Sequence, residues 1–236
     1  MNIEAIKTRI FQPGESLADF IIEHVSTIRE QSVLVVTSKI AALAEGRFVE
    51  YESEQQKEAL IKQESDVAVQ TPFAWLSIKD GMVVASAGID ASNGNGKLIF
   101  LPKDSHALCQ GLRVKLKDKY HVKELGVLII DSRVLPLRRG TVGMALGYSG
   151  FLGLYSYIGK PDLFGRPLQI SQKNVADSLA TAASLLMGEG DESKPLVIIT
   201  ETGIQFTDEP VALDELRIPL SEDLYGPLFR SITDEK

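Results

Sequence analysis

Val33-Leu34-Val35-Val36-Thr37-Ser38-Lys39-Ile40-Ala41-Ala42-Leu43-Ala44-Glu45-Gly46 sets the architecture. The β-branched run from Val33 to Thr37 carries no polar alternation and reads as a buried strand. Ser38 to Glu45 then reads as a helix, closed by Gly46. A buried strand therefore passes through a polar turn directly into a helix.

Upstream, residues 2 to 10 alternate loosely and predict a strand. Pro13-Gly14 breaks the chain, and Ser16 is placed to cap a helix with Leu17, Phe20, Ile21, His24, Val25 and Ile28 at helical spacing. Downstream, the charged residues 53 to 64 predict an exposed helix or flap. Phe73 to Ser86 reads as two strands around Lys79-Asp80-Gly81, whose Asp-Gly is a hairpin signal, with Phe73 and Trp75 packing the sheet. The second strand runs into Ala87-Gly88-Ile89-Asp90. The loop Asn93-Gly94-Asn95-Gly96 leads to a strand from Leu98 to Leu101. Pro102-Lys103-Asp104 precedes a helix with Leu108, Leu112 and Leu116 on one side. Gly126 to Ile130 reads as a strand ending on Asp131, Asn174 caps a helix from Val175 to about Met187 stopped by Gly188, and Val197 to Thr200 is a late strand. Hairpins interleaved with crossover helices predict an α+β protein with mixed sheets and flanking helices. Residues 1–236 read as one unit, divisible into two α+β subdomains, with 208–236 as a C-terminal arm suited to packing on a partner subunit.

The chain has 236 residues, of which 44% are hydrophobic and 24% charged, the balance of a folded globular protein. No apolar run approaches the roughly 20 residues that span a bilayer, and Met-Asn-Ile-Glu lacks a secretory start, so a cytoplasmic protein without a membrane partner is expected. Cys109 is the single cysteine, which excludes an internal disulfide or a thiolate zinc cage and makes it a core filler. A net charge of −7 argues against nucleic acid. His24, His106 and His121 form no HExxH pair and no obvious Ser-His-Asp set, and His24 lies on an apolar stripe as a core-edge residue.

Asp90 and Asp131 each follow an apolar run at the end of an expected strand, where ligands collect. Paired carboxylates suit Mg²⁺ or Mn²⁺ held jointly with phosphate oxygens, and Ser132 and Asn93 are neutral oxygen donors close by. Asp also favours turns, and that reading stays open. Thr37-Ser38-Lys39 offers hydroxyls and a lysine to a phosphate, or is a plain helix cap. Arg138-Arg139 suits carboxylate or phosphate oxygens, or is a solvated pair. Glycines 143, 147, 150 and 153 mark close approach by a ligand or by the chain itself. Gly188 to Ser193 reads as a polar surface loop.

Thr37-Ser38-Lys39 through Glu45-Gly46-Arg47, Ala87-Gly88-Ile89-Asp90 with Ser92-Asn93, Ile130-Asp131-Ser132, and Val175-Ala176-Asp177 together resemble the coenzyme F-420 γ-glutamyl ligase family, in register from about residue 3 to residue 200. The resemblance implies a GTP-type nucleotide (GTP or ATP), two Mg²⁺ or Mn²⁺ ions, L-glutamate, and an intertwined homodimer. It casts Asp90 and Asp131 as metal-binding and catalytic, with Ser132 where the family has a metal-binding threonine. Ser38, Lys39 and Asn93 match nucleotide contacts, and Thr8, Arg9, Ile10 and Phe11 lie where a first nucleotide loop runs. Asp162, Gly165 and Asp177 fall in matching blocks without an assigned role. The chain departs from the family at Leu43 (a lysine), Val134-Leu135 (Gly-Arg), Gly143 (an aspartate) and Gln172 (a glutamate). The pattern resembles a divergent branch whose acceptor is a folate instead of coenzyme F-420-0. A nucleotide- or cofactor-binding homologue without turnover is the alternative.

Overall fold

Val33, Leu34, Val35 and Val36 have no exposed surface, which requires cover on both faces of their strand. The computed structural model supplies it, and describes residues 1–233; residues 234–236 of the expected arm lie outside the described residues. In chain order the elements are β1 (Asn2–Ile6), α1 (Leu17–His24), β2 (Ser32–Thr37), α2 (Ser38–Ala44), β3 (Phe48–Glu50), α3 (Glu54–Gln63), β4 (Val67–Gln70), β5 (Trp75–Lys79), β6 (Met82–Ala85), β7 (Lys97–Ile99), α4 (Ser105–Tyr120), β8 (Leu125–Val134), β9 (Thr141–Ser149), β10 (Leu154–Ser156), β11 (Gln172–Asn174), α5 (Val175–Met187), β12 (Leu196–Thr200) and α6 (Gly226–Thr233).

The central sheet runs β1-β12-β2-β8-β9. Its β2–β8 pair is parallel and the other neighbours are antiparallel, so the α+β class with mixed sheets holds. Leu34, Val36, Val127 and Ile129 face α1, α2 and α4 in one core. Val33, Val35, Leu128 and Ile130 face α5 in a second, which Val211 and Leu216 of the C-terminal segment also join. A third, smaller core gathers Ile61 of α3 with Ala87, Ile89, Leu98 and Phe100.

Local signals are realised closely. Ser16 and Asn174 accept the backbone N–H of Asp19 and Asp177 as helix caps. Asp80 and Gly81 both take positive φ (52° and 71°), the two-residue turn that the twist of a hairpin favours. The glycines of β9 admit the chain's own helices. A Cβ on Gly143 would fall 2.2 Å from the Ala180 carbonyl oxygen of α5, and one on Gly147 would fall 2.5 Å from the Ser105 carbonyl carbon of α4. Cys109 is fully buried, its thiol donating to the Gly147 carbonyl at 3.2 Å.

Four expectations change. Helix α1 stops at His24 because Val25 is extended, so Ile28, though buried, is not helical. Phe73 is 87% exposed in a turn instead of packing the sheet. Helix α3 is tied down by Ile61, 1% exposed, beneath its charged face. Strand β8 continues past Asp131 to Val134, because β9 still pairs with it after β2 has ended. Helix α6 is an element the sequence reading lacked; Pro227 is tolerated there in the first turn, where its missing N–H costs nothing.

Candidate active site

The parallel register of β2 and β8 ends with Thr37 beside Ile130. The next residues along are Ser38 and Asp131, which therefore meet although they lie 93 positions apart: Ser38 Oγ donates to Asp131 Oδ1 at 2.7 Å. Such parallel-strand ends open crevices because the following helix turns away from the sheet. Burial pushes the Asp131 carboxyl above the usual carboxylate range, and the Ser38 hydrogen bond and the Arg133 charge oppose this without reversing it. Its hydrogen-bond partner is a neutral hydroxyl, not a cation.

Asp90 reaches the same region from beside β7, where its backbone exchanges two 2.9 Å hydrogen bonds with Ile99. Its carboxylate accepts Lys39 Nζ, Ser92 Oγ and the Ser92 N–H, each at 2.7 Å. Burial raises this group too, yet the Lys39 and Ser92 donors outweigh it and hold Asp90 below the usual range. The charge of Asp90 adds a small part to the upward shift of Asp131. Two aspartates are thus pushed apart in acidity, as in sites where carboxylates divide the chemistry between them.

The segment after Gly188, which composition marks only as polar surface, draws three of the expected site residues together. Ser132 Oγ donates to Glu189 Oε1 at 2.6 Å, and Thr141 Oγ1 donates to the same oxygen at 3.1 Å. Asn93 Nδ2 donates to the Gly190 carbonyl at 3.0 Å, and the Thr8 N–H donates to that of Ser193 at 2.9 Å. Glu189 was not foreseen. Its one sequence signal is its place directly beyond the glycine that ends α5.

Other expected residues are engaged elsewhere. The Arg9 guanidinium pairs with Glu15 at 2.9 Å and Glu23 at 2.8 Å. Ile10 is 77% exposed, and Phe11 is buried beneath α1. Arg138 and Arg139 are exposed on the turn joining β8 to β9. Asp162 builds a turn, its Oδ1 accepting the N–H groups of Phe164 at 2.8 Å and Arg166 at 2.9 Å. Asp177 ties α5 to the sheet edge, accepting the Ala145 N–H at 2.8 Å and Asn174 Nδ2 at 2.6 Å. Among the departures, Leu43 is a core residue, Gln172 is exposed on β11, and Gly143 leaves no room for the aspartate that the family pattern carries.

Arg133 is the second functional-region residue that the sequence reading missed. Because β8 continues, Arg133 projects on the same face as Asp131. It is 5% exposed, Nη1 donates to the Val83 carbonyl at 2.8 Å, and its Nε has no partner. Burial lowers the pKa of its guanidinium from the ordinary value, offset in part by the charges of Asp131 and Asp177.

A hard divalent cation suits this donor set. Among the described residues no three His, Cys, Asp or Glu side chains close around one point. The protein would therefore offer one or two oxygens per ion and leave the rest to phosphate and water, as Mg²⁺ is commonly held. No helix among the described residues is long and apolar enough to cross a membrane.

Residues 5–201 match the family model described as F420-0:Gamma-glutamyl ligase. The chain is 35% identical to the coenzyme F420:L-glutamate ligase of Archaeoglobus fulgidus, over 80% of this chain and 83% of that protein. It is 34% identical to the one from Methanopyrus kandleri, over 80% and 82%, and 32% identical to the one from Methanosarcina mazei, over 84% and 86%. A mixed α+β sheet with a carboxylate at the end of its parallel strand pair and a second one nearby is thus the scaffold of a ligase, an enzyme that links glutamate to an acceptor. The chain belongs to the F420-0:gamma-glutamyl ligase family.

Proposed function

We propose that this enzyme forms an amide between the amine of L-glutamate and a carboxylate of coenzyme F420-0 or a folate, consuming GTP or ATP with Mg²⁺ or Mn²⁺. The observation that carries the reading is the Ser38–Asp131 hydrogen bond at the parallel strand ends, with the Asp90 charge near enough to act on Asp131, and with Ser132, next along the strand, bonded to Glu189. The relatives, which are coenzyme F420:L-glutamate ligases, support L-glutamate and the F420-type acceptor.

The acceptor carboxylate attacks the γ-phosphorus, the bond to the nucleoside diphosphate breaks, and an acyl phosphate forms. The glutamate amine then attacks the acyl carbon, phosphate leaves, and the amine gives up a proton. A bound divalent cation supplies charge neutralisation at the phosphoryl oxygens. Asp90, Asp131, Ser132 and Glu189 would hold such ions, Lys39 keeps Asp90 ionised, and Ser38 fixes the Asp131 carboxyl for the in-line geometry. Asn93 and the backbone of residues 8–11 bind the nucleotide, and Arg138 and Arg139 are placed on a hairpin turn to meet anionic substrate groups.

The whole chain acts as one unit, in the cytoplasm and as a homodimer. Support for the dimer comes from the ribbon between β10 and β11, where Leu163, Phe164 and Ile170 are 97%, 89% and 85% exposed, an apolar surface that water disfavours. The test is a mass-resolved product assay with L-glutamate, Mg²⁺ or Mn²⁺, GTP or ATP, and a mixture of tetrahydrofolate and coenzyme F420-0. The expected result is one acceptor gaining a glutamate residue only when nucleotide and metal are present; nucleotide binding without any mass gain would reject the reaction.

A further inference from the structure

A cavity of about 400 Å³ lies against β9, the edge strand of the central sheet, and neither Asp90 nor Asp131 lines it. Its floor includes Met144 and Leu146, its roof includes Met82 and Val83 of β6, and its outer wall is the C-terminal segment around Leu213 and Leu216. Small-molecule sites span roughly 300–1,000 Å³ and are mostly apolar with a few polar groups, and this cavity fits both conditions.

The cavity adjoins the proposed reaction centre. Met144 pairs with Asp131 across β8 and β9. Directly paired residues project on one face with Cβ atoms about 4.5–5.5 Å apart. Arg133, two residues further on that face, holds the Val83 carbonyl of the roof at 2.8 Å. Asp131 and the cavity are therefore neighbours along one strand pair.

The polar groups in the lining are mostly occupied. The Tyr148 hydroxyl is taken by Glu215, and Asp177 by the Ala145 N–H and Asn174. His106, half-buried, spends one ring nitrogen on the Tyr148 backbone. Arg217 is exposed at the rim, its stem lying 3.5 Å from where a Cβ on Gly81 would sit. Apolar walls, one imidazole edge and a rim guanidinium suit a flat heteroaromatic ring system with a hydrogen-bonding edge and negative charge outside the pocket.

We infer that this cavity receives the fused heteroaromatic ring system of the acceptor while the acceptor carboxylate reaches toward Asp131, and that the segment from Leu213 to Leu220 is the wall that selects the ring. This rests on the ligase reading above and adds the acceptor's location to it. The C-terminal segment is held in place beyond the Tyr148–Glu215 contact. Asp208 accepts Arg113 at 2.5 Å and Lys117 at 3.0 Å, and Phe206 bridges Phe151.

The test titrates two ring-only probes, a pterin and a 5-deazaflavin without carboxylate tails, into the full-length wild type, Leu213→Trp and Arg217→Ala. Leu213 is 59% exposed, so the larger side chain can enter the cavity without displacing core residues. One probe binds the wild type and loses about tenfold affinity or more in Leu213→Trp, a difference easily read by calorimetry. Arg217→Ala weakens the same probe, and Mg²⁺-nucleotide affinity stays unchanged in both variants. Absence of binding by either probe, or equal affinity in wild type and variants, overturns the inference. If Leu213→Trp does not fold, the exposed Arg217→Ala decides alone. Product formation with complete acceptors is measured on the same preparations. Turnover together with variant-insensitive ring binding rejects the cavity and keeps the ligase; variant-sensitive ring binding without turnover rejects only the ligase reaction.

Discussion

Asp90 and Asp131 are chemically alike and placed in unlike surroundings. Asp90 is ionised by Lys39 and Ser92, whereas Asp131 is desolvated and faces a neutral hydroxyl. Replacing Asp131 by alanine should lower turnover by roughly a hundredfold or more, the scale of losing preorganised electrostatic stabilisation. Circular dichroism should show the fold intact, and near-normal product formation would remove Asp131 from the mechanism. Glu64 is an independent residue-scale case. It accepts Arg47 at 2.7 Å and Lys79 at 2.8 Å, joining the start of β3 to the end of β5. Burial raises its carboxyl, but Lys79 and Arg47 outweigh this and the net shift is downward. Its contribution is therefore present above the unfolded value of about 4.3 and lost as pH falls through the lower folded value. Glu64→Gln should cost about 1 kcal/mol at neutral pH, less than a fully buried charged hydrogen bond because solvent screens it. The gap in melting temperature from wild type should close below about pH 4. A gap that stays constant to lower pH would show that the loss is one of packing.

At the scale of elements, β9 is clamped by α4 on one face and α5 on the other, and its glycines are what allow it. Gly143→Ala should force α5 outward and cost about 1–3 kcal/mol, the usual price of overpacking. Thermal denaturation measures this directly; an unchanged melting temperature would mean that α5 yields freely. On this backbone there is no space at position 143 for the Cβ of the aspartate that the resemblance implies. Helix α5 is held in turn by Asp177, whose carboxylate satisfies an edge N–H of β9 that would otherwise lack a partner.

For the whole molecule, the ribbon carrying Leu163, Phe164 and Ile170 projects large apolar side chains into solvent. Light scattering on the wild type should give twice the chain mass, and Phe164→Asp should shift the protein toward monomer. A wild-type monomer at high concentration would leave that surface to another partner. The acidic net charge of −7 shapes the whole surface, yet the proposed site concentrates cations such as Lys39 and Arg133 close to its carboxylates.

The strand-turn-helix from Val33 to Gly46, the caps at Ser16 and Asn174, the Asp80-Gly81 turn and the buried cysteine were all legible in the sequence by itself. Each rests on the backbone preference or polarity of residues close together in the chain. The positions of Asp90 and Asp131 after apolar runs were legible too, although Asp131 does not end its strand. Only the tertiary structure decided that Ser38 bonds Asp131, that Glu189 and Gly190 close on Ser132 and Asn93, and that Arg133 is buried beside a cavity. These depend on which strands become neighbours and in what register. A parallel pairing 93 residues apart is selected by the summed burial of two cores, and no local periodicity carries that information.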